Sequence, residues 1–190
     1  MGMIDSLERR RSFYKLGRNS SVTQEAIKEL VRNVVHLVPD AFDCKSARVA
    51  LLLGQKSEEF WDGVFDAFGG KVSHEKLDGF KSGVGTVLFF YDADIVKGLQ
   101  EKYPSYVDKF PLWARDANGM VQLAMWGALR DLELGACLQH YNPVIDDLAH
   151  KVSGFPESYV LTAQMPFGSI EAPARVKDGE DIDLRVKVCG

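Results

Sequence analysis

Three consecutive arginines near the start of the chain are well suited to binding an anion. They open the segment Arg9–Tyr14, which reads RRRSFY. Guanidinium groups form paired hydrogen bonds with phosphate. The chain has 23 Lys and Arg against 27 Asp and Glu, a net charge of −4, so the cluster is not part of a generally basic surface. The triplet predicts a local phosphate site, although a solvated helix face is an alternative interpretation of a basic triplet taken alone.

A polar loop at 39–48, PDAFDCKSAR, lies between a predicted helix and a predicted strand. Functional groups often lie on loops of this kind in sheet-containing domains. Asp43, Lys45, Ser46 and Arg48 supply both hydrogen-bond donors and acceptors. Cys44 is either a reactive thiol or a small buried residue. Taken alone, the loop is an ordinary polar turn.

Two further segments combine proline, aromatic rings and polar groups, and both lie next to predicted strands. They are QHYNP at 139–143 and MPFGSIEAP at 165–173. A planar heteroaromatic ligand requires such a mixture of flat apolar surface and polar edges. His140 is the candidate catalytic residue, as a proton donor to a substrate, but it is also a candidate for holding the turn.

Helices and strands alternate along the chain. The clearest helix is predicted at 24–37, with capping-box spacing between Ser21 and Gln24 and a stop at Pro39, and the strongest strand at 84–91, VGTVLFFY. Further strands are expected at 49–53, 136–139 and 159–165, and further helices at 60–68, 93–103, 116–134 and 146–152. No repeat or linker divides the sequence, so it is interpreted as one domain, 1–190, of the α/β or α+β sandwich class.

The last stretch, 172–190, is polar and has too little apolar content to fold alone. We therefore expect it to be an arm that docks on something, a second subunit being a natural candidate. The apolar helix at 116–134 belongs in the centre of the domain or in an interface.

Composition excludes several function classes. The mildly acidic charge argues against a nucleic-acid binder, and no apolar run is long enough to cross a membrane. Three widely spaced cysteines indicate a reducing compartment, the cytoplasm, and the four histidines show no metal-ligand spacing. The Gly83-Val84-Gly85 motif precedes its strand and lacks a third glycine, so it is not a dinucleotide fingerprint.

Taken together and in this order, the four motifs resemble the nitroreductase family of FMN-dependent oxidoreductases. The closest similarity is to a short subgroup with PSAFNSQSSR, QHYNP and PFGSIEAP motifs, and it spans almost the whole chain. The resemblance implies an α+β, three-layer sandwich in which helices flank a mixed, mainly antiparallel sheet. It also implies a homodimer that exchanges C-terminal arms and holds two FMN molecules at its interface.

The resemblance assigns cofactor-binding roles to matching positions. Arg10, Arg11 and Ser12 match the motif that holds the flavin phosphate and ribityl chain, and Tyr14 falls near the pyrimidine edge. The loop residues that approach the flavin ring, partly from the second subunit, are Ala41, Phe42, Asp43, Lys45 and Ser46. The segment that passes the ring comprises Gln139, His140 and Tyr141, and its backbone amides lie near the reactive nitrogen of the flavin. The basic pair of the arm that reaches the phosphate is Arg185 and Lys187.

The implied activity is hydride transfer from NADH or NADPH to nitroaromatic, quinone or similar small-molecule electron acceptors by a ping-pong mechanism. The loop departs from the subgroup, because Asp43 and Lys45 replace an amide pair and a carboxylate only accepts hydrogen bonds. A flavin-binding or regulatory protein with little turnover is therefore the alternative. A protein without flavin, whose basic clusters bind a phosphorylated partner, is the remaining possibility.

Overall fold

The β-branched and aromatic run predicted as the strongest strand is buried inside the sheet. It forms β3 (Gly85–Asp92), which pairs antiparallel with β2 (Ala47–Leu53) on one side and with β5 (Tyr159–Ile170) on the other. This computed structural model describes residues 2–190. Two short strands, β1 (Leu16–Gly17) and β4 (Gly135–Ala136), also pair antiparallel with β5. β5 is thus hydrogen-bonded along both edges.

The two faces of the sheet carry separate helical layers. Successive residues of a strand point to opposite faces, so Val87 and Phe89 pack into one apolar cluster, and Leu88 and Phe90 into another. The first cluster is covered by α2 (Gln24–Leu37) and α6 (Phe110–Asp131). The second is covered by α3 (Gln55–Ala67), α4 (His74–Lys81) and α7 (Asp146–Ser153). The predicted three-layer α+β arrangement is confirmed.

Two helices complete the structure at the ends of α6. The first, α1 (Met3–Arg9), is tied to the end of α6 by Ser6, whose hydroxyl donates to the Asp131 carboxylate at 2.8 Å. The other, α5 (Ala93–Lys102), packs against the start of α6 through Val96 and Phe110. Within residues 2–190, no helix is both long and apolar enough to span a membrane.

A β-bulge interrupts the pairing of β3 with β5. Phe89 lies opposite Ala163 while Phe90 lies opposite Leu161, which leaves Thr162 without a partner in the register. Asn118 of α6 fills the gap, because its Nδ2 donates to the Phe90 carbonyl oxygen at 2.7 Å. This buried amide connects α6 to the centre of the sheet.

The predicted elements are present, with changes at their ends. Helix α2 has the predicted bounds, but Thr23 rather than Ser21 is its N-cap and accepts a hydrogen bond from the Ala26 amide at 3.2 Å. Helix α6 begins at Phe110, six residues before the predicted start, and β5 continues to Ile170, past the predicted end. The sequence analysis did not predict α1, β1 or α4, since each contributes few apolar residues.

The C-terminal segment 172–190 has only one 3-10 turn, at Ile182–Leu184. Its apolar side chains face solvent, with Leu184 85% and Val188 91% exposed. Burial of such side chains is favourable, so docking on a second subunit remains the prediction for this arm.

A glycine in α4 lets the first segment of the chain approach that helix closely. A Cβ atom at Gly79 would lie 2.5 Å from the Tyr14 carbonyl oxygen, a backbone atom. Because a real Cβ contact of that length does not occur, α4 and the backbone at Tyr14 would have to separate. Gly98, inside α5, has no such neighbour within 4 Å.

We therefore predict that Gly79→Ala and Gly98→Ala change stability in opposite directions. Alanine is the better helix former by about 1 kcal/mol, so Gly98→Ala should raise the free energy of unfolding by about that amount. Gly79→Ala should lower it by ~1–3 kcal/mol, since the clash outweighs the helix propensity. Urea denaturation of the two variants measures both effects. Equal stabilisation by both would show that α4 does not contact the Tyr14 backbone in this way.

Candidate active site

Arg10 follows α1 and places its guanidinium group on an aromatic ring. The guanidinium carbon lies 4.2 Å from the centroid of Trp126, a cation–π contact. Its Nε is buried and has no hydrogen-bond partner among residues 2–190. Burial, and then the charge of Arg11, lower the pKa of Arg10. A buried donor without an acceptor is costly, which indicates that a ligand supplies the acceptor.

The segment after Arg10 runs along the edge of β4. Ser12 forms a parallel bridge with Ala136, and the Phe13 amide donates to the Ala136 carbonyl oxygen at 3.0 Å. The Arg11 side chain donates to the carbonyl oxygen of Arg175, at the start of the C-terminal arm. The predicted phosphate cluster is therefore fixed by the sheet and lies beside the base of the arm.

A cavity of about 570 Å³ opens next to this cluster. Three parts of the chain line it: Ser12, Tyr14 and Lys15; Ser73, Glu75 and Lys76; Ala172, Pro173 and Arg175. Its basic side chains outnumber the one acidic side chain, so the cavity favours an anion. The volume lies within the range of small-molecule and cofactor sites.

Lys76 connects this cavity to the predicted ring-passing segment. Its Nζ lies 5.4 Å from the ring centroid of Tyr141 and 5.7 Å from that of Phe80. Lys76 was not predicted as a site residue, because the helix that carries it, α4, was not predicted. Ser73, which caps α4, and the buried apolar pair Leu77 and Phe80 were the signals that could have found the helix.

In the segment 139–141, the side chain of His140 faces solvent and that of Tyr141 packs against apolar rings. His140 is exposed, while the Tyr141 ring packs against Trp61 and Phe68 at centroid distances of 5.9 and 5.6 Å. Burial raises the pKa of Tyr141 to about 12, so the phenol is protonated at neutral pH. Gln139 is buried and forms an antiparallel bridge with Gln164 of β5. Of the three predicted residues, His140 alone is presented to solvent.

The loop that contains Ala41–Asp43 has an unusual backbone. Phe42, Asp43 and Lys45 all have positive φ angles, of 61°, 48° and 54°, which cost free energy in residues other than glycine. The Phe42 ring stacks on Trp113 at 6.0 Å, and Asp43 forms an exposed ion pair with Lys45 at 3.3 Å. The packing of Phe42 helps to hold the strained conformation.

Behind this loop, Asp40 organises the following residues. Its Oδ2 accepts from the Ser46 amide at 3.0 Å and lies 3.2 Å from the Cys44 sulfur. Burial raises the pKa of the Cys44 thiol, which supports the interpretation of Cys44 as a packed residue rather than a reactive one. The Ser46 hydroxyl is buried and has no partner among the described residues.

Within one chain the loop and the phosphate cluster line separate cavities. The loop borders a cavity of about 400 Å³ that includes His36, Asp43, Lys45 and Arg48. Ser12 and Tyr14 border the other. The resemblance assigns part of the loop's contacts to a second subunit, and that assignment stays a prediction.

The predicted basic pair of the arm also lies apart from the cluster. Arg185 forms an exposed ion pair with Glu180 at 2.7 Å, and Lys187 is exposed. Neither lines the cavity beside Ser12. Across residues 2–190, no group of three or more His, Cys, Asp or Glu side chains has the arrangement of a metal site.

The sequence and the fold match known proteins. The model of the Nitroreductase family matches residues 7–169. The chain belongs to the nitroreductase family. It is 31% identical over 173 residues to the putative nitroreductase HBN1 of Saccharomyces cerevisiae, which covers 90% of this chain and 89% of the relative.

Solved structures of nitroreductases share the fold of this family member. Nitroreductase CinD from Lactococcus lactis in complex with chloramphenicol superposes with a TM-score of 0.93, at 42% identity and full coverage of both chains. A putative nitroreductase in complex with FMN from Exiguobacterium sibiricum has a TM-score of 0.73 at 11% identity, covering 100% of this chain and 98% of its own, which shows the common fold alone. Membership of the family makes the chain an oxidoreductase enzyme.

Proposed function

We propose that this chain, as a single domain of residues 1–190, is an FMN-dependent oxidoreductase that acts as a homodimer. It transfers hydride from NADH or NADPH to nitroaromatic, quinone or similar acceptors in two half-reactions of a ping-pong cycle. The observation that carries the proposal is the buried, unpartnered Nε of Arg10, two residues before the Ser12 that lines a basic cavity, in a nitroreductase fold. CinD in complex with 4-nitrophenol supports the class of acceptor.

The chemistry of the residues fits the phosphate of FMN. Arg10, Arg11 and Ser12 supply two guanidinium groups and a hydroxyl at one edge of β4. The charge-assisted hydrogen bonds of guanidinium to phosphate satisfy the donor that is otherwise orphaned. Arg185 and Lys187 of the partner arm are proposed to complete the site, which requires Arg185 to leave its exposed ion pair with Glu180.

The flavin ring is assigned to the cavity side of the same cluster. Tyr14 and Lys76 offer a hydroxyl and a cation there. The ring is proposed to pass Gln139, His140 and Tyr141, of which His140 has the backbone amide that is unpaired among residues 2–190. A cation such as Lys76 stabilises negative charge that develops when a flavin is reduced. The loop residues proposed to approach the ring from the second subunit are Ala41, Phe42, Asp43, Lys45 and Ser46.

When bound, FMN supplies the hydride chemistry, and the protein positions the cofactor and sets its electrostatic surroundings. No acid–base pair is required for hydride transfer itself. We propose that the exposed His140 side chain donates a proton to a reduced acceptor, in addition to shaping the turn.

Exposed apolar side chains on three helices support the proposed homodimer. Met3 of α1 is 71% exposed, Leu37 of α2 73%, and Met120 and Leu123 of α6 are more than one third exposed. An apolar groove of about 500 Å³ separates α2 from α6. A contiguous apolar surface of this kind marks an association face. The cytoplasm, inferred from the cysteine content, remains our proposed location.

Asp43 favours a second candidate function, a flavin-binding or regulatory protein with little turnover. A carboxylate cannot donate to the flavin edge as an amide does, although Lys45 lies 3.3 Å away and offsets its charge. The two candidates differ in whether bound flavin is reduced by a nicotinamide.

An absorption spectrum distinguishes them. Purified protein reconstituted with FMN should show flavin bands between about 350 and 500 nm. Under the proposed function, NADH or NADPH bleaches these bands in the absence of oxygen, and a quinone or 4-nitrophenol restores them. Stable yellow colour in the presence of both nicotinamides supports the regulatory alternative. A colourless protein that FMN does not reconstitute contradicts both.

The double variant Arg10→Ala with Arg11→Ala tests the phosphate site. Removing two charged phosphate contacts, each worth about 1.5–3 kcal/mol, should raise the FMN dissociation constant by at least ~100-fold. Fluorescence quenching of FMN measures it. The matched control is Arg32→Ala with Arg115→Ala, which removes the same charge from exposed positions. Equal FMN affinity of the two double variants would rule out the assignment.

A further inference from the structure

We propose that Gln164 is a positioning residue, which holds the segment 139–142 so that the backbone amide of His140 remains available to the cofactor. This inference rests on the proposed function. Gln164 lies in the middle of β5 and is fully buried. It was not among the residues predicted from the sequence.

The backbone of Gln164 fixes one end of the segment. Gln139 N donates to the Gln164 carbonyl oxygen at 2.7 Å, and Gln164 N donates to the Gln139 carbonyl oxygen at 2.9 Å. This isolated antiparallel bridge lies beyond the last residue of β4. Any residue other than proline at 164 would preserve it, because only backbone atoms take part.

The side chain of Gln164 fixes the other end. The Tyr141 amide donates to Gln164 Oε1 at 2.9 Å, and Gln164 Nε2 lies 3.5 Å from Asn142 Oδ1. The Tyr141 ring is held separately by Trp61 and Phe68. The segment is therefore fixed on both sides of His140.

Between these attachments, the His140 amide is left without a partner. The amides of Gln139 and Tyr141 both donate within the chain, whereas the His140 amide has no acceptor among residues 2–190. Gln164 thus accepts the hydrogen bond of the neighbouring Tyr141 amide. The His140 N–H is the donor left unpaired at the exposed position. One fixed, unpaired donor gives a defined hydrogen bond to a ligand.

The chemistry of this position argues against a packing role alone. Residues alternate along β5, so Gln164 faces the layer opposite to Ala163 and Met165. The buried residues of that layer include Leu88, its partner in the β3 register, and Cys137. A buried amide among apolar neighbours is favourable only when its hydrogen bonds are made. Among residues 2–190, the side chain of Gln164 makes these bonds to Tyr141 and Asn142 alone.

Hydrogen exchange in the unmodified protein tests the geometry without any substitution. Without FMN, the Tyr141 amide should exchange slowly and the His140 amide rapidly, and FMN should slow exchange at His140. Slow exchange at His140 before FMN is added, or rapid exchange at Tyr141, would overturn the inference. This result is readable even if the protein fails to bind FMN, so it separates failure of the inference from failure of the proposed function.

Two substitutions at 164 test the role in binding. Gln164→Met keeps the length of the side chain but removes the acceptor, and should weaken FMN binding by roughly tenfold, the value of one hydrogen bond. Gln164→Glu restores an oxygen that accepts from the Tyr141 amide, and should bring the affinity back to within about threefold of the parent chain.

The matched control is Asn118→Leu, which removes another buried amide that bonds the sheet backbone. It should lower the free energy of unfolding comparably, yet leave FMN affinity within about twofold, because Asn118 does not touch the segment. Equal loss of FMN affinity in Gln164→Met and Asn118→Leu, or no recovery in Gln164→Glu, would show that Gln164 serves stability alone. If Gln164→Met does not fold, the role of Gln164 is tested by the exchange rates of the unmodified protein and by the FMN affinity of Gln164→Glu.

Discussion

The backbone hydrogen bonds made by β5 are the constraint on which the candidate site depends. Three segments that are far apart in sequence attach there: Leu16 opposite Ile170, Gly135 opposite Gly168, and Gln139 opposite Gln164. β5 is also paired with β3, so it cannot shift without breaking the sheet. Backbone pairing alone thus brings the arginine cluster and the segment 139–141 to the same side of the domain.

The charge and burial of the side chains on these segments suit them to bind an anion. On a chain with a net charge of −4, the basic groups near the cavity act locally rather than as a general positive field. Arg10 is held on Trp126 with a buried donor unsatisfied, so the protein alone leaves the cluster incomplete. The loop at Phe42 and the arm beyond residue 172 are likewise strained or exposed in one chain, as expected for parts that a second subunit completes.

Much of the fold follows from local patterns, because β3 and α2 have strong period-2 and period-3.6 signals. The weakly apolar α4 escaped prediction, and Lys76 with it, since only Leu77 and Phe80 are buried there. Motif resemblance predicted Arg10, Ser12 and the segment 139–141 as site residues. It did not identify Gln164, whose role depends on a strand register that brings residues 139 and 164 together and that no local pattern encodes.

We propose that two copies of the chain jointly hold the cofactor, because within one copy neither the basic pair Arg185 and Lys187 nor the loop lines the cavity beside the arginine cluster. Native mass spectrometry of the FMN-reconstituted protein tests it most directly. The account predicts a dimer that carries two FMN molecules and loses both when it dissociates into subunits. A monomer that retains one FMN molecule would contradict it.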